Sequence, residues 1–207
     1  MTTLTLFYAP GTCALATRIA LNEAGAPYTL EVLDFKQSAQ RSPDYLALNP
    51  LGRVPALRLE DGTVLTENVA LLAYVAQRYP AAQLAPTDLA QFARMQGFNS
   101  YLASTVHVAH AHGRRASRWS DDEAAQTTMR AKVPQNMADA FTLIEQHWLG
   151  HGGPWVMGAQ YTVADAYLFT IASWLEGDQV DIRQFPRVQA HFARMQQRPA
   201  VQAALQG

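Results

Sequence analysis

The feature that most limits what this chain can fold into is a change of rhythm at residues 80–87. Ahead of that stretch, strand signals and helix signals alternate. Behind it, strand signals nearly vanish. The stretch itself is rich in proline and alanine and is bracketed by Pro80 and Pro86, which reads as a connection between two units. Hydrophobic residues make up 49% of the 207 positions and charged residues 16%, enough apolar material for two packed cores and too little charge for a disordered chain. The expected division is 1–80, a connecting segment 81–88, and 89–207: a small α/β unit followed by a larger all-α one.

In the first unit, Leu4, Leu6 and Tyr8 alternate with Thr5 and Phe7, the pattern of a strand with one more apolar face. Pro10-Gly11 is turn punctuation, and Thr12 is a good N-cap for a helix over 13–24. Leu15, Ile19 and Ala20 supply its core face, and Gly25 is a natural residue just past its end. Residues 28–33 predict a second strand. Asn49-Pro50-Leu51-Gly52-Arg53-Val54-Pro55 predicts a turn into a third strand at 56–59, and Asp61-Gly62 predicts a hairpin. Thr66-Glu67-Asn68 then precedes the apolar positions Val69, Leu71, Leu72 and Val75 of a helix ending near Tyr79-Pro80. In the second unit, helical spacing covers 89–111, 120–148 and 163–175, and a shorter pair is split by Arg198-Pro199. Thr162 and Asp165 form a variant capping box at the head of the third.

Charge excludes several partners. The net charge is −1, so no basic field exists to hold nucleic acid or an anionic membrane. No apolar run approaches the ~20 residues needed to cross a bilayer. Met1-Thr2-Thr3-Leu4 lacks a charged segment leading into an apolar one, so no leader peptide is expected. The single cysteine cannot close an internal disulfide, in keeping with a reducing compartment, and the expected location is the cytoplasm.

Three short stretches and one histidine cluster carry candidate chemistry. Cys13 stands at the first turn of a helix, where unpaired N–H groups and the positive end of the dipole favour a thiolate. Position alone leaves a second reading open, a small buried apolar side chain. No C-x-x-C pair exists, because Ala16 occupies the second position, so Cys13 acts alone or with an external thiol. Val54-Pro55 introduces a strand. A cis bond there would turn the Val54 backbone outward to pair with an extended ligand, although X–Pro bonds are mostly trans. Glu67 and Asn68 at a helix start suit a ligand with an ammonium and a carboxylate, or serve as plain caps. His107 and His110 lie one helical turn apart while His112 points elsewhere, a poor zinc set, so no metal is expected.

Taken together, Tyr8-x-Pro-Gly-x-Cys13-x-Leu, Asn49-Pro50-x-Gly52-x-Val54-Pro55-Ala56-Leu57 and Asp61-Gly62-Thr63-x-Leu65-Thr66-Glu67 resemble the glutathione-binding domain of the beta-class glutathione S-transferases of bacteria. The likeness continues through Val163-Ala164-Asp165-Ala166-Tyr167-Leu168-Phe169-Thr170 and Arg198-Pro199-x-Val201-Gln202-x-Ala204-Leu205, and so covers essentially the whole chain. It implies a thioredoxin-like N-terminal domain, an all-helical C-terminal domain, a homodimer, and a cis bond at Val54-Pro55. It implies glutathione as co-substrate, with Cys13, His107 and Tyr8 around the glutathione sulfur. Lys36 would meet the glycyl carboxylate, Val54 the cysteinyl backbone, and Glu67 and Asn68 the γ-glutamyl head, with Arg53, Pro55 and Ser104 completing the site.

The implied activity is conjugation of reduced glutathione to small, largely apolar electrophiles lying between the domains, where Trp119, Trp174 and Tyr101 are candidate contacts. Two alternatives remain. One is a thiol transferase or disulfide reductase that uses Cys13 through a mixed disulfide. The other is a non-catalytic binding protein of the same fold. Asn68, Ser100 and Val108 depart from the family pattern (a small residue, asparagine and lysine respectively are usual), which predicts weaker glutathione binding or a different acceptor site.

Overall fold

Strand β1 (Leu4–Tyr8) is buried along its whole length, and the rest of the first unit is arranged to cover it. The computed structural model describes residues 3–206, so Met1 and Thr2, part of the leaderless start expected above, lie outside it. Helix α1 (Ala14–Glu23) follows β1 and leads to β2 (Tyr28–Val32), which pairs parallel to β1 with Leu4 opposite Tyr28. After α2 (Pro43–Leu48), β3 (Ala56–Arg58) and β4 (Val64–Thr66) add antiparallel, giving the order β2-β1-β3-β4. Helix α3 (Asn68–Arg78) packs beside α1. Strand side chains alternate between faces, so Phe7 points away from Leu6 and Tyr8, and Tyr45 of α2 closes over it with ring centroids 5.4 Å apart. Gly25 and Gly62 adopt φ of 61° and 90°, the left-handed geometry that ends α1 and turns the β3–β4 hairpin.

The expectation of a helical second half holds, with two features the spacing does not give. The predicted helix 89–111 is α4 (Leu89–Tyr101) and α5 (His107–Arg114), joined without a break through a π-helical turn at Leu102–Val106. The predicted helix 120–148 is α6 (Glu123–Leu143), which continues past Pro134 into a second π-turn at Ile144–Trp148. Helix α7 (Val163–Ala172) has all ten residues buried, as a helix apolar on every side must. It packs against α1, as does α9 (Pro199–Leu205), while α8 (Pro186–Gln196) lies against α7. These contacts join the sheet-bearing part to the helical part through one apolar core.

The capping box at the head of α7 forms as expected and does more than cap. Asp165 accepts from the Thr162 N–H (2.8 Å), the Val156 N–H (2.8 Å) and His191 Nε2 (3.0 Å), all within the core. One carboxylate thus ties the loop before α7, α7 itself and α8. Among the described residues no helix is long and apolar enough to cross a membrane.

Candidate active site

A cavity of about 620 Å³ opens where the first turn of α1, the turn before β3 and the start of α3 face α5 and the chain beyond it. Its floor is built by local hydrogen bonding around Cys13. Gly11 takes φ of 71°, which turns the chain out of β1. Thr12 Oγ1 donates to the Ala9 carbonyl at 2.6 Å and accepts from the Ala14 N–H at 3.4 Å, holding that turn against the head of α1. Cys13 then presents its thiol as a donor to the Val54 carbonyl, 3.5 Å away. The Val54-Pro55 bond is cis, as the resemblance implies. The turn is held from behind by Tyr45 Oη and Asn49 Nδ2, which donate to the Arg53 carbonyl at 2.6 and 2.8 Å.

Glu67 sits at the rim of this floor with φ of 69°, a left-handed backbone that a non-glycine residue adopts at a cost. It stands at the head of α3, whose first N–H groups have no partner within the helix. Asn68 is the first residue of α3, and its side chain is turned inward. Its Nδ2 donates to the Cys13 carbonyl at 2.8 Å and its Oδ1 accepts from Thr17 Oγ1 at 2.6 Å. The amide therefore clasps α3 to α1. Asn68 also lines the cavity, so the residue expected to meet a ligand carboxylate has its side-chain amide engaged within the protein.

The opposite wall comes from the helical part. The π-turn widens the helix directly ahead of His107, a distortion that commonly accompanies functional sites. His107 lines the cavity, and burial, then His110, then Arg115, Arg118 and Arg53, push its pKa down to about 4. It is a neutral imidazole at neutral pH. His110 Nδ1 is bonded by both carboxylate oxygens of Asp178, at 2.8 and 2.9 Å, and its ring stacks on Trp174 at 4.3 Å. His112 packs on Trp119 at 4.1 Å. Among the described residues no three His, Cys, Asp or Glu side chains converge as metal ligands.

The helix-terminal position leaves two readings open for Cys13, and its surroundings favour the protonated thiol. Burial pushes it up to about 12, and Glu67 adds to the shift. Arg115, Arg53 and the local backbone hydrogen bond pull the other way without overcoming them. The dipole and the cations favour a thiolate, but removal from water outweighs both.

Of the residues singled out from the sequence, Cys13, Arg53, Val54, Pro55, Glu67, Asn68 and His107 line one cavity. Tyr8, Lys36 and Ser104 are not among its lining residues. Tyr8 shares the β1 face of Leu4 and Leu6, and its ring lies beneath the Arg18 guanidinium at 5.2 Å. Lys36 is exposed on a short 3-10 turn, and the neighbouring Phe35 faces the cavity in its place. Ser104 is exposed, its hydroxyl donating to the Ser100 carbonyl at 2.8 Å. Trp119 and Trp174 line the cavity, whereas the Tyr101 hydroxyl is directed to the Ala140 carbonyl. Sequence reasoning missed Arg41, Arg114, Arg115 and Arg118 as wall residues, and the His110–Asp178 pair. Three arginines within five positions beside a tryptophan was the available signal.

Comparison with known proteins gives a consistent picture. Residues 11–78 match the glutathione S-transferase N-terminal domain and residues 110–206 the glutathione S-transferase C-terminal domain. The chain is 36% identical to the glutathione S-transferase GstA of Escherichia coli O157:H7, over 97% of this chain and 96% of that one. A solved glutathione transferase homologue from Sulfitobacter with bound glutathione superposes with a TM-score of 0.95 at 47% identity, covering 98% of this chain and 97% of that one. A sphingomonad glutathione S-transferase complexed with glutathione gives 0.83 at 33% identity, with 97% and 96% coverage.

Proposed function

The chain belongs to the glutathione S-transferase family, and from that premise we propose that it joins the sulfur of reduced glutathione to small electrophiles, in the cytoplasm and as a homodimer. In this reading residues 1–80 bind glutathione, 81–88 connect, and 89–207 supply the acceptor side. Glu67 takes the γ-glutamyl ammonium, and the backbone N–H groups at the head of α3 take its carboxylate. The Val54 backbone pairs with the cysteinyl residue, and Arg53 with Arg41 meets the glycyl carboxylate, a part for which Lys36 stands outside the cavity wall.

The observation that carries the reading is the hydrogen bond made by Cys13. Its thiol donates to the Val54 carbonyl at the cavity floor, 3.5 Å away, and burial favours the protonated form. Beside a bound glutathione sulfur, that S–H is a hydrogen-bond donor to the thiolate. Neutral His107 and the nearby arginines add to the stabilisation of negative sulfur. The sulfur then attacks the electrophilic carbon, the C–S bond forms, and the leaving group departs with its electron pair. The mixed-disulfide alternative needs Cys13 as the thiolate, a form that burial and Glu67 disfavour.

The test is Cys13→Ala, assayed for conjugation of chlorodinitrobenzene and for reduction of a glutathione mixed disulfide. Loss of one hydrogen bond, about 1 kcal/mol, lowers kcat/KM for conjugation roughly fivefold. Complete loss of conjugation, with a Cys13–glutathione disulfide detected by mass spectrometry in the working enzyme, would overturn the reading in favour of redox chemistry.

A further inference from the structure

The acceptor half of the cavity carries more positive charge than glutathione can use. Five guanidinium groups line the cavity, from Arg41, Arg53, Arg114, Arg115 and Arg118, and Glu67 is the only carboxylate among the lining side chains. Among the described residues none of these arginines is held in an ion pair or a side-chain hydrogen bond. They also crowd one another. Burial, and then Arg115, Arg53 and Arg41, depress the guanidinium of Arg118. Bound glutathione, as the thiolate, brings two carboxylates, one ammonium and the sulfur. Arg41 and Arg53, on the glutathione wall, answer its glycyl end, Glu67 its ammonium, and the head of α3 its other carboxylate. Arg114 and Arg118 are left over, and Arg115, which also bears on the sulfur end of the cavity, stands beside them.

Their setting says what kind of group would use them. All three follow from the C-terminal end of α5, on the wall that also carries Trp119 and Trp174. Trp174 is stacked on His110, and Trp119, 44% exposed, lies tilted against His112, so each indole has a histidine on one side. Planar guanidinium groups recognise carboxylates in a two-pronged geometry that a point charge does not offer. Arg41, Arg53, Arg114 and Arg118 are exposed and Arg115 is half-buried, so like charges gather around the cavity and favour a bound anion.

We propose that the acceptor is a planar, unsaturated or aromatic electrophile carrying a carboxylate, with the ring against Trp119 and Trp174 and the carboxylate on Arg115 and Arg118. This rests on the transferase reading above and narrows the apolar acceptor expected from the sequence to an anionic one. With an aryl chloride, the glutathione sulfur forms a bond to the ring carbon, the C–Cl bond breaks, chloride leaves with the electron pair, and the thiol proton has already passed to solvent.

The test compares chloronitrobenzoate with its methyl ester, which has the same ring and leaving group but no charge. Initial rates are taken at saturating glutathione, and each kcat/KM is divided by the uncatalysed rate of the same compound with glutathione. The acid is expected to be favoured at least roughly tenfold, with the gain in KM, as one charge-assisted two-pronged contact warrants. In the double variant Arg115→Gln/Arg118→Gln the acid-to-ester ratio falls toward one. An ester used as well as the acid, or a ratio unchanged in the variant, overturns the inference while conjugation of the ester keeps the transferase reading intact. No turnover of either compound would instead overturn the transferase reading, and this inference with it.

Discussion

The clasp made by Asn68 gives a prediction in which stability and ligand binding separate. Its side-chain amide lies in the core, 5% exposed, between the Cys13 carbonyl (2.8 Å) and Thr17 Oγ1 (2.6 Å). Replacing Asn68 by alanine removes both bonds. The Cys13 carbonyl keeps its bond from the Ala16 N–H at 3.1 Å, so its loss costs about 1 kcal/mol. Thr17 is completely buried, and its hydroxyl loses its only side-chain acceptor, which costs about 1–3 kcal/mol. The expected total is about 2–4 kcal/mol. For a chain of this size each kcal/mol lowers Tm by roughly 2–4 °C, so Tm should fall by at least roughly 4 °C. The assay is thermal and urea unfolding of the two proteins at one protein concentration, since any subunit association makes Tm concentration-dependent. It is paired with the KM for glutathione. The backbone N–H of residue 68 survives the substitution, so KM should rise by no more than roughly threefold. The reasoning is refuted by the opposite pattern: stability changed by less than ~0.5 kcal/mol with KM raised tenfold or more would make the amide a ligand to glutathione and not a clasp.

Two further outcomes follow from groups held in the core or the cavity wall. His107 is held down to about 4 from an ordinary 6.5, chiefly by burial, so as pH falls below 6.5 the unfolded chain takes up this proton before the folded one does. Its contribution is present above pH 6.5 and is lost on the way to pH 4, a change of order 2–3 kcal/mol. Urea unfolding at stepped pH should show that loss, and His107→Gln should flatten it; parallel curves for the two proteins would refute the assignment. Asp165→Ala leaves the N–H groups of Thr162 and Val156 and the ring of His191 without their acceptor, and should cost at least about 3 kcal/mol, read as a lowered urea midpoint. A cost below 1 kcal/mol would show that this carboxylate is not what joins α7 to α8.

What the sequence made legible was what neighbours within a few residues decide. The alternation of Leu4, Leu6 and Tyr8, the Gly25 stop, the Asp61-Gly62 hairpin and the Thr162–Asp165 box are each set by local geometry, and each formed. Helix α2 is not legible from apolar spacing because six residues leave too little repeat, although Ser42-Pro43 is a usable start signal: the Ser42 hydroxyl accepts from the Tyr45 N–H at 3.2 Å. The site was less legible because its electrostatics are made by groups far apart in the chain. His110 meets Asp178 across 68 positions, and Arg115 acts on Cys13 from the other wall. A helix terminus alone argues for a thiolate at residue 13. Burial by the chain packed around it reverses the sign, and no local pattern carries that information. The same packing explains why a single cysteine suffices in the proposed chemistry. A thiol kept protonated by burial is a donor fixed in place, and the cavity's surplus of positive charge then falls on the sulfur that arrives with glutathione and on the anion of its partner substrate.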